Sequence, residues 1–433
     1  MSAPQAPATT DQAPAPGPGQ APAHAPAHAP GGEALPRYPF STDGDRLAPE
    51  LDELRSRCPV ARVRTNAGGE AWLVTGYELA RDVLRDRSFA RSVLGEADSP
   101  TQDAPILAPE LLDAMNHLQQ AGLRDEVLAA LGRNQPELPA DWVAEVTREG
   151  LERMVAEGAP GDLQRHFAEW VAAQCLCRLL GLPFEDREWL AERADKDLTM
   201  ATYSDEELAV NWEELRAYMA AFLAARTPGQ PRGLADRLAD LNAERPSEGF
   251  SERKGLSDEQ LSNIVSVLFV SGYEDFASFL GVAAVNLLQH PEAMAELRES
   301  PEETPRHVEE LLRCSVVLGN AIPRFVTEDT SLGGERVKAG DLVLLSLDAA
   351  NYDPGTFADP ERFEPARSPN PHLRFGHGRH HCPGAHLVRR QSDTAFRVLL
   401  QWFPGLRLAV PVDEVPWHPN RMAIMAAAVP VTW

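Results

Sequence analysis

Between residues 141 and 228 apolar side chains recur at helical spacing. WVAEVTREGLERMVAEG and FAEWVAAQCLCRLLGLP each carry one apolar face, which predicts helices packed by that face. Residues 59–87 read differently. Val60, Arg62 and Arg64 alternate, Gly68-Gly69 makes a turn, and Trp72-Leu73-Val74 follows, a hairpin that runs into a helix. The stretch 88–114 is loop-like, and 229–256, rich in Gly, Pro and charge, reads as a connection. The longest predicted helix spans 258–290, with Ser257 and Gln260 forming a capping box at its start. It would run about 50 Å. Its middle, IVSVLFV, is apolar on every side and must be buried, yet this run is much too short to cross a membrane. Another helix is predicted over 304–316. SLGGERVKAGDLVLLSL (331–347) alternates like strands joined at a glycine-containing turn, and 404–433 is Pro-rich with short apolar runs. Helix dominates and strands are few.

The first 36 residues fall outside this pattern. Their Ala/Pro repeats have no basic start and no apolar block, so they predict a disordered tail rather than a targeting segment. Residues 37–433 then form a single domain, since no linker divides them. The 433-residue chain carries a formal net charge of −24. That balance argues against nucleic acid or an anionic membrane as partner. Five scattered cysteines, Cys58, Cys175, Cys177, Cys314 and Cys382, read as reduced thiols in a cytoplasmic protein, not as a disulfide framework.

The densest chemistry lies in HLRFGHGRHHCPGAHLVRRQ, residues 372–391. A structural zinc site needs about four ligands, usually in paired spacings. Here Cys382 stands alone, and Gly376, Gly378 and Pro383 break any helix that would pair His377 with His381. A single thiolate suits a metal whose other ligands come from elsewhere. Phe375-Gly376-x-Gly378-x-His380-x-Cys382-x-Gly384 with Leu387 and Arg389 resembles the haem-ligand loop of the cytochrome P-450 family of haem-thiolate monooxygenases. Other segments follow in the family's order. Glu310-x-x-Arg313 resembles its Glu-x-x-Arg helix, and Pro323-Arg324 matches a propionate-binding arginine. Arg124 stands at a second such position, with Gln120 where a histidine is usual, and His372 would add a third contact.

The resemblance implies a mainly α fold, a helical domain with small β-sheets around a buried haem b. Cys382 would be the axial iron ligand, with Phe375, Gly376, His380, Gly384, Arg324, Arg124, His372 and Gln120 about the cofactor. Glu310 and Arg313 would be structural. Electrons would come from a ferredoxin and its reductase, steered by the basic residues Arg374, Arg379, Arg389 and Arg390. In SGYEDF (271–276), Gly272 and Glu274 match the family's distal-helix pattern, but Asp275 replaces the expected threonine. Gly272 would leave room over the haem, while Glu274 and Asp275 would handle protons; the alternative for Asp275 is to anchor a polar or cationic group of the substrate. The expected reaction is hydroxylation or another oxidation of a specialised metabolite. Oxidative cross-linking of aromatic residues in a peptide is the alternative, and a non-catalytic haem sensor a lesser one. The expected pocket walls are 88–115, 190–215, Leu268–Phe279, 318–323 and 424–426.

Overall fold

The computed structural model describes residues 35–433 except 41–43, 67, 92–108, 134, 200–201, 245–254 and 420. The Ala/Pro tail therefore lies outside the described residues, save its last two positions.

The long helix Asp258–Leu288 is the axis of the fold. Its start is capped as the sequence predicts, Gln260 N–H donating to Ser257 Oγ (3.1 Å) and Ser257 N–H to Gln260 Oε1 (2.9 Å). Most of its side chains are buried. By length and composition it would qualify to cross a membrane, but about 72% of its most apolar window is covered by the rest of the domain. Its apolarity is thus spent on the core. Against it pack the helices Trp170–Leu180, Arg187–Asp197 and Asp205–Ala224, and a short π-helical segment, Gln164–Glu169. The π-segment comes close because the helix offers Gly281 there. A Cβ on that glycine would fall 2.0 Å from Gln164 Oε1.

The strands gather beside the helices. Val60–Thr65 and Glu70–Val74 form the predicted hairpin, antiparallel with Val60 opposite Val74. Glu70–Val74 then runs parallel to Leu342–Leu345, which pairs antiparallel with Ile322–Val326. Arg37–Tyr38 and Phe89–Ala90 complete this six-stranded sheet. The segment 331–347 divides in a way its alternation did not reveal. Thr330–Leu332 and Glu335–Val337 make a small hairpin, whereas Leu342–Leu345, buried throughout, belongs to the large sheet.

Two further segments differ from expectation. Pro109–Ala121 is helical inside the stretch read as loop. Leu234–Ala243 is a helix within the presumed connection, with Leu234, Ala235, Leu238 and Ala239 buried and Asp236 held by Arg232.

Candidate active site and cofactor pocket

One internal cavity, about 350 Å³, is bounded by the cysteine loop, the middle of the long helix and the strand Ile322–Val326. The loop reaches it by two left-handed turns. Gly376 has φ 69° and Gly378 φ 70°, conformations that side chains disfavour. Backbone bonds from Gly376 N–H to Leu373 O (2.8 Å) and from Cys382 N–H to Phe375 O (2.8 Å) close the turn and bring the cysteine to the cavity wall. The helix Ala385–Trp402 starts immediately after Gly384. Burial pushes the Cys382 thiol up to about 11, while the N–H groups of Gly384 and Ala385 pull against that rise. Phe375 lines the same wall, its outer face covered by the Arg389 guanidinium 4.6 Å from the ring centroid.

Arg91, Arg324, Arg374 and His380 make the cavity's cationic wall. Arg324 is buried, and its Nη1 donates to the carbonyl of Pro323 (2.8 Å). Burial, then the charges of Arg91 and Arg379, lower its pKa to about 9. The same two effects, with Arg324 and Arg124 adding to the repulsion, push His380 down to about 4. Arg374 is buried too, and its Nη1 has no hydrogen-bond partner. Buried cations are stable only when paired. Among the described residues no carboxylate makes an ion pair with Arg324 or Arg374. This wall fits an anion, and together with the Cys382 sulfur it fits a metalloporphyrin bearing propionates.

Sequence reasoning put Arg91 in an expected pocket wall and Arg374 in a basic face, without assigning either by name to the anion side of this site. Arg374 sits within the cysteine motif itself, where it read as surface charge. Three predicted contacts lie elsewhere. Gln120 is exposed on the helix Pro109–Ala121. Arg124 is half-buried at the start of the next helix and acts on His380 only through its charge, without lining the cavity. His372 faces away. Its Nε2 pairs with Glu309 (3.0 Å), and its Nδ1 accepts from the Arg374 N–H (3.3 Å), so it braces the loop. Arg389 also engages Glu309.

Glu310 and Arg313 are fully buried together, bonded at 2.9 and 2.8 Å. Glu310 also accepts from Glu364 N–H (3.0 Å), Arg367 (3.1 Å) and Asn370 (3.0 Å), and Arg313 donates to the carbonyls of Asn351 and Arg362. The helix is thereby locked to FADPERFEP and to the approach of the cysteine loop.

On the long helix, Asp275 lines the cavity and Glu274 does not. Glu274 is buried on another side, 3.7 Å from Arg421, which reaches Asp195 at 3.0 Å. Burial raises the Glu274 carboxyl well above its usual range, and the neighbouring Asp275 charge adds to this. Gly272 does line the cavity, but the space before its Cα is filled by Leu176, whose Cδ1 would lie 2.8 Å from an added Cβ. The glycine therefore admits a neighbouring helix. Of the expected walls, Leu268, Phe276, Phe279, Leu318 and Ile322 border the cavity. Residues 92–108 lie outside the described part, and the described residues of 190–215 and 424–426 do not line it.

Comparison with known proteins agrees with this geometry. The cytochrome P-450 family model matches residues 215–426. Mycocyclosin synthase of Mycobacterium tuberculosis is 36% identical over 92% of this chain and 99% of its own length. The mycinamicin IV hydroxylase/epoxidase of Micromonospora griseorubida is 35% identical over 92% and 99%. The crystal structure of LnmA, a hydroxylase from the leinamycin pathway of Streptomyces atroolivaceus, superposes with a TM-score of 0.80 at 34% identity, covering 92% of this chain and all of that one. The relatives are enzymes, which removes the sensor reading, and the mainly α fold stands as the resemblance implied. A cysteine loop facing a cationic wall, on this fold and at this level of identity, places the chain in the cytochrome P-450 family of haem-containing oxidoreductases.

Proposed function

We propose that this protein oxidises a specialised metabolite with molecular oxygen, using electrons from a ferredoxin and ferredoxin reductase in the cytoplasm. The observation that carries the reading is that the Cys382 sulfur and the Asp275 carboxyl border one cavity. Haem, when bound, supplies the oxygen-activating chemistry, and thiolate ligation favours O–O cleavage. Cys382 would hold its iron, and Arg324, Arg374, Arg91 and His380 would take its propionates.

The chain's own residues then divide the work. The basic wall neutralises the cofactor's carboxylates. Leu268, Phe276 and Phe279 exclude water from the chamber. Glu274, its carboxyl raised by burial, holds a proton behind the wall, with Arg421 pulling against that rise. Asp275 is likewise raised by burial, with Arg374 opposing, and stands at the cavity surface where the family has a hydroxyl, placed to pass a proton. On the side of the cysteine loop, Arg379 is exposed and Arg390 half-buried. These two, rather than Arg374 and Arg389, offer positive charge to an acidic ferredoxin.

Oxidative cross-linking within an aromatic peptide is the second reading. The loss of the threonine favours it, as does a relative named as a synthase beside one named for hydroxylation and epoxidation. Incubation of the haem-loaded protein with ferredoxin, reductase, NADPH and candidate metabolites or short aromatic peptides tests both. A product heavier by one oxygen supports the first, and one lighter by two hydrogens supports the second. Absence of the red-shifted Soret band in the reduced carbon monoxide complex would sink both.

A further inference from the structure

We propose that Asp275 selects the substrate by pairing with a positively charged nitrogen on the molecule to be oxidised. The inference rests on the oxidase reading proposed above, in which haem takes the side of the cavity at Cys382 and the basic wall and the substrate takes what remains beside the long helix. Asp275 is the single acidic residue among the described residues that line it. Its side chain has no hydrogen-bond or ion-pair partner among them, and the surface it leaves accessible opens into the cavity.

The other polar groups of the chamber do not answer it. Ser271 Oγ donates to the carbonyl of Val267 (2.6 Å). Arg91, Arg324 and His380 form the mutually repelling cluster that suits propionates. Arg374 is the cation that acts on Asp275, but Asp348 acts on it more strongly and Cys382 shares it too, and its guanidinium lies over Phe279, 5.9 Å from the ring centroid. Its orphaned Nη1 makes it part of the anion-binding wall. Around Asp275 the wall is otherwise apolar: Leu268, Phe276, Phe279, Leu318 and Ile322.

A carboxyl in such surroundings is either neutral or paired with a cation. A cationic substrate would supply that partner and hold the group as the carboxylate. Phe276 and Phe279 add aromatic faces, which also favour a cation. The same chamber rejects an acidic substrate, since two carboxylates would share one low-dielectric space. The substrate class is therefore an alkylamine borne on an aromatic or alicyclic frame, charged at neutral pH.

The test uses two probes of the same shape, neither able to ligate iron. Benzyltrimethylammonium carries the charge, and neopentylbenzene replaces its nitrogen with carbon. Affinities are read from the Soret shift of the haem-loaded protein, in the wild type, Asp275→Asn and Asp275→Ser. Both variants should lose about tenfold or more in affinity for the ammonium, while neopentylbenzene stays within about threefold, a coupling typical of groups in direct contact. Parallel changes for the two probes, or none, would overturn the anchor. No Soret response to either probe in the wild type would overturn it together with the chamber. The oxidase reading fails separately, on the carbon monoxide spectrum, which needs neither probe.

Discussion

Replacing Arg374 with methionine should loosen the cofactor without weakening the polypeptide. Arg374 is 8% exposed, burial lowers its pKa, and its Nη1 finds no acceptor. The substitution keeps an unbranched stem of similar reach and removes an uncompensated charge, whose burial costs several kcal/mol. The protein without haem should therefore be as stable as the wild type, or more so. Haem reverses the sign. If a propionate completes the pair, losing one partner of a buried ion pair costs about 3–5 kcal/mol. At about 1.4 kcal/mol per factor of ten, haem release should accelerate by roughly two to three and a half orders of magnitude. Transfer of haem to excess apomyoglobin, followed at the Soret band, measures the rate. Arg390→Met is the control, since Arg390 donates to the Arg133 carbonyl and does not border the cavity. Release from Arg374→Met within about threefold of wild type would refute the argument that its guanidinium waits for an anion.

Four further outcomes are expected. Glu310→Gln sets an amide donor against the five donors that Glu310 now accepts. A loss of about 3–5 kcal/mol spread over some 400 residues lowers the melting temperature by roughly 4–6 °C, and a shift of about 1 °C in a thermal scan would contradict it. Pro383→Leu gives the Cys382 loop one more N–H and should raise the ferric/ferrous potential by about 20–60 mV, the one-electron equivalent of a hydrogen bond; a redox titration with no rise refutes this. Burial alone would raise the Glu309 carboxyl, but bonds from His372 and Arg389 hold it at about 2 against an ordinary 4.5. Its contribution is then complete above pH 4.5 and lost as pH falls toward 2, so Glu309→Gln should flatten acid denaturation in that window, by about 1 kcal/mol for a group one-third exposed. Reduction by an acidic ferredoxin should slow with added salt, and Arg379→Glu should slow it at low salt; a stopped-flow rate indifferent to both would remove the steering.

The parts of this protein that were legible in the sequence are those where backbone geometry leaves few choices. Gly376 and Gly378 mark left-handed turns, the apolar run around Val265–Val270 marks a buried helix, and Ser257 with Gln260 marks its start. Charge was read less well, because a charged residue in a sequence defaults to the surface. Glu310 and Arg313 have the spacing of an ordinary exposed pair, yet both are fully buried. His372 and Gln120 were placed by analogy of position, but Glu309 draws the first away and the second faces out. Leu234–Ala243 was missed because Arg232 and Asp236 looked like linker charge, when they cap a helix against the core.

Buried charge is informative once its partners are counted. The fold satisfies Glu310, Arg313 and Glu309 from within, and these hold the loop in place. It leaves the buried Arg374 Nη1 without a hydrogen-bond partner, and Asp275, accessible from the same cavity, without an ion-pair partner among the described residues. A folded chain of marginal stability retains such groups only if something else binds them. Their signs then describe that something: an anion on the side of the cysteine loop, where the cofactor's carboxylates belong, and a cation beside the long helix, where the family has only a hydroxyl. The first charge follows from belonging to the family. The second belongs to this chain, and it is the feature through which its substrate should differ from those of its relatives.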